Sequence, residues 1–365
     1  MKVLLINSVC GVGSTGRICA DLAAKFEQDG HTVKIAYGRG NAPEQFKKYA
    51  VRIGSDMGNK LSALHTRLTD RHGFANKCAT KSFLKWAQAY DPDILWLHNL
   101  HGYYINVEML FDWIKSRPQM QVKWTLHDCW TFTGHCSHFV VAGCYKWQDG
   151  CDKCIQKKYY PSSILLDNSR DNYKRKKAAF TGVKNMTLIT PSNWLAELVK
   201  QSFLSEYPVE IINNTIDTNI FKPTPSDFRE KYGLQGKKVI LGVSGIWTKN
   251  KGFYDFLKLS EMLKEDQRIV MVGLNDKQLK MMPQNIVGIK RTESVQQLAE
   301  IYSAADVFVN LTYSDTFPTV NLEARACGLN VITYRTGGSP ESAGKNAIVV
   351  DVGDLESVYK EICRF

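Results

Sequence analysis

The stretch from Asn310 to Glu341 constrains the fold more than any other part of the chain. The short apolar run before it, Val307–Val309, predicts a buried strand of a parallel sheet. A polar turn follows, the residues from Asn321 to Cys327 predict a helix, and Val331–Tyr334 predicts the next strand. The sequence therefore indicates a strand–helix–strand unit, and in open α/β sheets ligands bind at the carboxyl ends of such strands.

Two acidic residues in this stretch, Asp315 and Glu323, are separated by seven residues. If the helix begins near Phe317, Asp315 lies in the loop and Glu323 on the first part of the helix. Backbone amides at a helix start attract an anion, and a carboxylate accepts hydrogen bonds from sugar hydroxyls, so the pattern suits a nucleotide-sugar. The alternative is structural: Asp315 caps the helix and Glu323 is a solvated helix residue.

The same stretch resembles the motif of family 4 retaining glycosyltransferases, in which two acids with seven residues between them are followed by a small-residue helix, a glycine and a Gly-Gly-x-Pro-Glu loop. The residues that match this motif as they stand are Glu323, Gly328, Gly337, Gly338, Pro340 and Glu341. The first acid is Asp315, where the family has Glu. The resemblance implies the GT-B fold, two Rossmann-like domains with parallel sheets that face each other across a cleft. Among members of this family, the chain is similar to bacterial enzymes of capsular and exopolysaccharide (colanic-acid-type) assembly.

Alternating apolar runs and helical segments along the whole chain predict two α/β domains. We expect an N-terminal, acceptor-side domain at residues 1–207, with a cysteine-rich insertion at 129–160, and a C-terminal, donor-binding domain at 208–365. The stretch Lys60–Ala89 predicts a mostly helical region. Two prolines and polar residues indicate a linker at Phe221–Pro225. The family resemblance extends to Asn214–Asp217, which is similar to the segment that crosses between the two domains.

Composition narrows the class of protein. Hydrophobic residues make up 44% of the 365 residues and charged residues 23%, and no apolar run is long enough to cross a bilayer. Ten cysteines are too few for a disulfide scaffold, and the first residues do not look like a signal peptide, so we expect a cytoplasmic protein. The net charge of +11 favours phosphorylated substrates and keeps open a peripheral position at the anionic inner face of the membrane. The densest basic clusters, interpreted by default as solvated helix faces, are Lys157–Lys158, Lys174–Lys177 and Lys237–Lys238. No motif indicates a nucleic acid partner.

The N-terminal segment carries a glycine-rich loop, Gly11–Gly16, after a predicted strand. Its G-x-G-x-x-G spacing is typical of dinucleotide-binding folds, but the acid expected after the second strand is missing. Arg39 stands nearby and could accept a 2′-phosphate, so an NADP-dependent oxidoreductase remains the alternative function. The glycosyltransferase resemblance instead implies that this loop, with Gly13, lies near the acceptor and the donor phosphates.

Histidines follow two neighbouring predicted strands of the N-terminal domain. His98 and His101 come after Ile94–Leu97, and His127 comes after Val122–Leu126. Carboxyl ends of parallel strands meet at one sheet edge, so these side chains are candidates for a site, although single histidines are often structural. The resemblance implies that His98 and His127 line the site beside the transferred sugar.

The resemblance also assigns donor-binding residues in the C-terminal domain. The family supplies an Arg and a Lys to the donor diphosphate from the loop after the first strand, Lys238–Val243. Lys251 matches that Lys, whereas Gly245 stands at the Arg position, where Lys249 could substitute. The remaining implied contacts are Asp315 with the donor sugar, Glu323 with the ribose, and Thr316, Phe317, Pro318 and Thr319 at the start of the helix.

Four cysteines, Cys136, Cys144, Cys151 and Cys154, lie in a loop-rich segment and end in a C-x-x-C. Four thiolates would satisfy a tetrahedral zinc ion, which would be structural because such a site leaves no open position for chemistry. The alternative is a set of ordinary reduced cysteines. The family resemblance implies that catalysis itself needs no metal cofactor.

These patterns together predict a glycosyltransferase that moves a sugar from a nucleotide-diphosphate donor to a polysaccharide or lipid-linked acceptor, with retention. The NADP-dependent oxidoreductase explains the glycine loop but leaves Asp315 and Glu323 without a role. A zinc-containing nucleic-acid-binding protein would explain the charge and the cysteines but leaves both strand edges unexplained.

Overall fold

The computed structural model describes all 365 residues. The chain folds into two compact units, Met1–Ile212 and Asn213–Phe365. The first unit ends after Ile212 and not after residue 207, because Val209–Ile211 is a strand that pairs with Met186–Thr190.

The N-terminal unit contains a seven-stranded, fully parallel sheet. Its strands are β1 (Lys2–Asn7), β2 (Thr32–Tyr37), β3 (Ala50–Arg52), β4 (Ile94–Leu97), β5 (Gln121–Thr125), β6 (Met186–Thr190) and β7 (Val209–Ile211). Their order across the sheet is β3-β2-β1-β4-β5-β6-β7. Along β1, Val3 and Leu5 enter one core and Leu4 and Ile6 the other, so both faces of the sheet are covered, as continuous apolar runs predict.

Six helices accompany this sheet: α1 (Gly13–Gln28), α2 (Asp56–Thr69), α3 (Lys77–Tyr90), α4 (Val107–Lys115), α5 (Ser169–Phe180) and α6 (Asn193–Lys200). The sequence predicted one helical region from Lys60 to Ala89, where the structure has α2 and α3. The break lies between two residues with left-handed backbone: Asp70, with a φ of 56°, ends α2, and Asn76, with a φ of 57°, directly precedes α3. Asp70 is fully buried and hydrogen-bonds to His135, which holds the break in place.

The C-terminal unit contains a six-stranded, fully parallel sheet. Its strands are β8 (Lys238–Val243), β9 (Gln267–Val272), β10 (Ile286–Ile289), β11 (Val307–Asn310), β12 (Asn330–Tyr334) and β13 (Ile348–Val350), in the order β10-β9-β8-β11-β12-β13. Its helices are α7 (Phe228–Lys231), α8 (Phe253–Glu261), α9 (Asp276–Leu279), α10 (Val295–Ser303), α11 (Thr319–Ala326), α12 (Ser339–Ala343) and α13 (Leu355–Ile362). The predicted strand–helix–strand unit is β11-α11-β12.

Both sheets have the same kind of switch point. In each sheet, the first three strands are added one after another in one direction, and the fourth strand pairs with the opposite edge of the first. The switch point lies between β1 and β4 in the N-terminal unit and between β8 and β11 in the C-terminal unit. Ligands of open α/β sheets bind outside the carboxyl ends of the strands at such a point. The two switch points are therefore the places to look for chemistry.

Two sequence interpretations are wrong in detail. The predicted linker at Phe221–Pro225 belongs to the C-terminal unit, because Phe221 is buried there and its ring lies 6.2 Å from that of Tyr302. The basic run around Lys176, interpreted as a solvated helix face, is also partly internal. Lys176 is buried, and its Nζ donates hydrogen bonds to the carbonyls of Trp130 and Thr133 at 2.7 and 3.0 Å. No helix has both the length and the apolar character that a membrane span requires.

Candidate functional site

The loops after β8 and β11 meet at the switch point of the C-terminal unit. Lys251 ends a short 3-10 helix, Lys249–Lys251, that follows β8, and its Nζ lies 2.5 Å from Oδ2 of Asp315 in the loop after β11. The other carboxylate oxygen of Asp315 accepts a hydrogen bond from the backbone N–H of Phe317 at 3.2 Å. Lys251 and Asp315, predicted to contact the donor, are thus brought together. Asp315 does not cap α11 as the structural alternative predicted, because that helix follows Pro318 and has no side-chain cap.

Two glycines allow these loops to approach each other. Gly252 has a φ of 77°, and a Cβ there would lie 2.4 Å from the carbonyl oxygen of Leu311. Gly337 has a φ of 55°, and a Cβ there would lie 2.0 Å from the carbonyl oxygen of Asp315. The neighbouring Gly338 donates its N–H to that same carbonyl at 3.0 Å. Glycine is required at both positions, and the contacts fix the backbone that carries Asp315.

Helix α11 places Glu323 beside the same loop. The helix begins at Thr319, directly after Pro318, so Thr316 and Phe317 belong to the loop and Thr319 to the first turn. Glu323 lies one turn further along, where Oε2 accepts a hydrogen bond from the hydroxyl of Tyr302 at 2.9 Å. Tyr302 is fully buried, and this burial, with Glu323 nearby, raises the pKa of its hydroxyl, which stays a donor. Sequence analysis did not find Tyr302, which lies 21 residues before Glu323.

A buried amide network holds α11 in position, and sequence analysis missed it. The side-chain oxygen of Asn321 accepts from Nδ2 of Asn310 at 2.8 Å. Its own Nδ2 donates to the carbonyl of Ser339 at 3.1 Å and to the hydroxyl of Ser342 at 2.9 Å. These bonds join α11 to the end of β11 and to α12, and the only sequence signal for them is an asparagine on a helix of otherwise small or apolar buried residues.

The switch point of the N-terminal unit carries the two predicted histidines. His98 follows β4 and His127 follows β5, and Nδ1 of His98 lies 3.0 Å from Nε2 of His127. Burial lowers the pKa of both imidazoles, that of His127 to about 4, so both are neutral at pH 7. The N–H of one ring therefore donates a hydrogen bond to the bare nitrogen of the other. The second ring nitrogen of His98, Nε2, is buried and has no hydrogen-bond partner.

A second histidine contact lies next to this pair. Nε2 of His101 is 2.7 Å from Oδ2 of Asp128, and Nδ1 of His101 is 3.1 Å from the hydroxyl of Tyr160. Burial alone would raise the pKa of Asp128, but the adjacent His101 holds it well below its usual range. The pairing was not predicted. Its signal was available, because His101 and Asp128 follow neighbouring strands of one sheet.

The predicted site residues are divided between the two units. Gly13, the first residue of α1, lies with His98 and His127 in the N-terminal unit. The predicted residues of the C-terminal unit are Lys249, Lys251, Asp315, Thr316, Phe317, Pro318, Thr319 and Glu323.

The cysteine-rich insertion brings several thiols close together. The N–H of Gly134 donates to Sγ of Cys151 at 3.1 Å, and the thiols of Cys136 and Cys154 hydrogen-bond each other. That bond is the main reason that the pKa of the Cys154 thiol falls to about 7. No three His, Cys, Asp or Glu side chains are arranged so that they could hold a metal ion. The zinc site predicted at Cys136, Cys144, Cys151 and Cys154 stays a prediction.

Two parallel Rossmann-like units with these switch points define the fold class, and known structures share it. A sucrose-phosphate synthase (tll1590) from Thermosynechococcus elongatus superposes with a TM-score of 0.71 at 16% identity, covering all of this chain and 89% of that one. The structure of Anabaena Alr3699/HepE in complex with UDP and glucose superposes with a TM-score of 0.65 at 14% identity, covering 99% of this chain and 89% of that one. The fold is therefore that of the GT-B glycosyltransferases.

Sequence comparison shows which known proteins the chain resembles. Residues 237–365 match the family model described as "Glycosyl transferases group 1". The Escherichia coli (strain K12) protein named "Putative colanic acid biosynthesis glycosyl transferase WcaC" is 24% identical over 99% of this chain and 90% of its own length. A D-inositol 3-phosphate glycosyltransferase of Corynebacterium jeikeium (strain K411) is 23% identical over 64% of this chain and 58% of its own length. The chain is thus similar to group 1 glycosyl transferases, to the family model over residues 237–365 and to the Escherichia coli protein over nearly its whole length, and it is an enzyme that transfers sugars. None of these proteins supports the NADP-dependent oxidoreductase alternative.

Proposed function

We propose that this enzyme transfers a sugar from a nucleoside-diphosphate donor to a polysaccharide or a lipid-linked oligosaccharide, with retention of configuration. The observation that carries the proposal is the Lys251–Asp315 pair, 2.5 Å apart at the switch point of the group 1 family domain. UDP and glucose in the Anabaena structure and the colanic acid name of the Escherichia coli relative support the donor and acceptor classes. Retention rests on the motif resemblance around Glu323.

The C-terminal unit offers a distinct contact for each part of the donor. Lys251 supplies positive charge for the diphosphate, and the N-terminus of α11, with its free backbone N–H groups and positive dipole end, also attracts the phosphates. Glu323, fixed by Tyr302, accepts hydrogen bonds from the ribose hydroxyls, and Asp315 accepts from the donor sugar. Lys249, exposed in the same loop, is the candidate for the second cation because Gly245 has no side chain.

Catalysis on this scheme uses no metal cofactor. Departure of the nucleoside diphosphate leaves negative charge that Lys251 and the helix amides stabilise. His98 and His127 are neutral at pH 7, so they act as hydrogen-bond partners of the sugar and the acceptor, not as charges. In the cysteine-rich insertion, we propose one zinc ion with a structural role only.

We further propose that the enzyme works in the cytoplasm, at the inner face of the membrane, in assembly of a capsule or exopolysaccharide. The name of the Escherichia coli relative supports the pathway class. The net charge of +11 supports contact with anionic lipid.

The donor assignment can be tested by measuring the melting temperature with UDP, GDP, ADP, NADPH and an oligonucleotide. One nucleoside diphosphate should stabilise the protein, by about 2.7 kcal/mol at a hundredfold excess over its Kd. Stabilisation by NADPH or by the oligonucleotide, and by no diphosphate, would overturn the proposal.

Two lysine variants distinguish binding at the proposed donor site from a general effect of the protein's positive charge. Lys251→Ala should weaken binding of that diphosphate about tenfold or more, because it removes a charged hydrogen-bond donor. Lys258→Ala is the matched control: Lys258 is exposed on α8, and its removal makes the same change in net charge. Equal loss of binding in the two variants would mean that charge alone, and not this site, attracts the nucleotide.

A further inference from the structure

Helix α2 presents its apolar side chains to solvent and buries polar ones. Met57, Leu61 and Leu64 are 65%, 61% and 54% exposed, whereas Ser62 and Thr66 are 5% and 0% exposed. The buried hydroxyl of Thr66 has no hydrogen-bond partner. A surface helix of a globular protein has the opposite arrangement, with its apolar stripe toward the core. The reversal indicates that the apolar face of α2 has a function outside the fold.

The exposed apolar residues form one continuous surface. Met57, Leu61, Leu64 and Leu68 are four, three and four residues apart, a spacing that aligns side chains along one helix face. The segment Ile164–Leu166 runs beside the end of this helix. Its residues are 69%, 63% and 53% exposed, and Ile164 donates its N–H to the carbonyl of Arg67 at 2.7 Å. We name these seven residues, Met57, Leu61, Leu64, Leu68, Ile164, Leu165 and Leu166, the apolar ridge.

Basic side chains flank the apolar ridge. Lys60 and Arg67 are exposed on α2 itself, one turn or less from the leucines. On the other element, Lys157 donates to the carbonyl of Leu165 at 3.2 Å and Lys158 is exposed. The basic cluster Lys157–Lys158 therefore lies beside the apolar ridge.

The nearest acidic residues have partners within the protein. Asp56, at the start of α2, forms a salt bridge with Arg52. Asp167, next to the ridge, accepts hydrogen bonds from the backbone N–H of Ser169 at 3.0 Å and from its hydroxyl at 2.6 Å. The ridge is thus apolar with a positive border.

We infer that the apolar ridge binds the surface of a bilayer that contains anionic lipid. Leucine, isoleucine and methionine side chains on an interfacial helix enter the boundary between headgroups and acyl chains, while lysine and arginine contact the anionic headgroups. Two copies of the chain joined through the same ridge would bring their basic borders together, so charge favours the lipid over self-association. The inference rests on the membrane position proposed above, for which it names the contact surface, and it does not depend on the proposed donor and acceptor.

The test is sedimentation of the full chain with vesicles of phosphatidylcholine, alone or with about one third phosphatidylglycerol. The protein should sediment with the anionic vesicles and not with the neutral ones, and high salt should release it. The variant Leu61→Gln/Leu64→Gln should bind at least about tenfold more weakly, because each leucine loses its apolar burial. Lys60→Gln/Arg67→Gln should lose about fivefold for each charge removed.

Matched controls keep the result interpretable. Met281→Gln/Val352→Gln changes two residues of the C-terminal unit that are 50% and 43% exposed, and it should bind vesicles like the wild type. All variants should keep the melting temperature and nucleotide binding of the wild type, since the changed side chains are on the surface. Failure of the nucleotide screen would therefore leave vesicle binding untouched.

Three outcomes would overturn the inference. The first is a wild-type protein that stays in the supernatant with anionic vesicles. The second is sedimentation of the Leu61→Gln/Leu64→Gln variant equal to that of the wild type. The third is a wild-type dimer in solution that this variant dissociates, which would make the ridge an interface between two copies.

Discussion

Removing the hydroxyl of Tyr302 is the most direct test of the donor-binding role proposed for Glu323. Tyr302 is fully buried, and its hydroxyl donates to the carboxylate of Glu323 at 2.9 Å. Hydrogen bonds to charged groups contribute about 1.5–3 kcal/mol, so Tyr302→Phe should lower the free energy of unfolding by about that amount. The variant keeps the ring and its packing, and the main change is a carboxylate that is no longer held in one position.

A loosely held Glu323 should bind the ribose less well. We expect nucleoside diphosphate affinity to fall about three- to tenfold in Tyr302→Phe, and at least about tenfold in Glu323→Ala, which removes the carboxylate itself. Titration calorimetry with the diphosphate found in the screen measures the affinity, and urea unfolding measures the stability.

Tyr334→Phe is a matched control for this experiment. Tyr334 is also fully buried, and its hydroxyl donates to the carboxylate of Asp255 at the same 2.9 Å. Asp255 is on α8 and has no predicted contact with the donor, so this variant should lose similar stability and keep its nucleotide affinity. The reasoning is refuted if Tyr302→Phe binds the nucleotide as the wild type does, or if both variants lose affinity equally.

The histidines and cysteines of the N-terminal unit can be tested separately from the donor site. His98→Ala should slow sugar transfer and leave nucleotide affinity nearly unchanged in calorimetry; joint loss of both would contradict its role. Because the pKa of His127 is about 4 in the folded protein, only the unfolded chain takes up this proton as the pH falls from 6.5 to 4. Urea unfolding should therefore show up to about 3 kcal/mol of stability lost through this group over that range, and the loss should be smaller in His127→Gln, where His98 still contributes its part. Purified protein should contain about one zinc per chain, and Cys151→Ser or Cys154→Ser should release it and lower the melting temperature; elemental analysis without zinc, and thiols that all react in the native state, would reject the site.

The sequence predicts the sheets well because their strands are buried on both faces. A short apolar run such as Val3–Ile6 or Val307–Val309 predicts a strand that is buried on both faces. A helix between two such runs leads back to the start of the next strand, which makes the two strands parallel. The same reasoning correctly brought His98 and His127 to one sheet edge, where their ring nitrogens lie 3.0 Å apart. Residues that directly follow strands are placed by the topology alone.

Contacts between side chains far apart in sequence could not be predicted. Nothing in the spacing of Tyr302 and Glu323 indicates a hydrogen bond between them, because the contact depends on how α10 packs on α11. Composition also could not predict that Lys176 is buried. Its Nζ donates to two carbonyl oxygens and lies 3.5 Å from the centre of the Trp130 ring, and burial lowers its pKa to about 7. The apolar ridge escaped for a related reason: Leu61 and Leu64 look like core residues until the structure shows that they face outward.

The replacement of the family Glu by Asp315 is understandable from its contacts. The shorter carboxylate is held from two sides, by the N–H of Phe317 and by Nζ of Lys251, and its backbone carbonyl accepts the N–H of Gly338. A lysine ammonium has three donors, so Lys251 can keep one hydrogen bond to Asp315 and direct the other two to a diphosphate. Because Gly245 stands where the family has an arginine, our proposal gives Lys251 two roles, a contact with the donor diphosphate and a hydrogen bond that positions Asp315 for the sugar. Loss of Lys251 should then disturb both the diphosphate contact and the position of Asp315, whereas loss of Asp315 should leave the ammonium available to the phosphates.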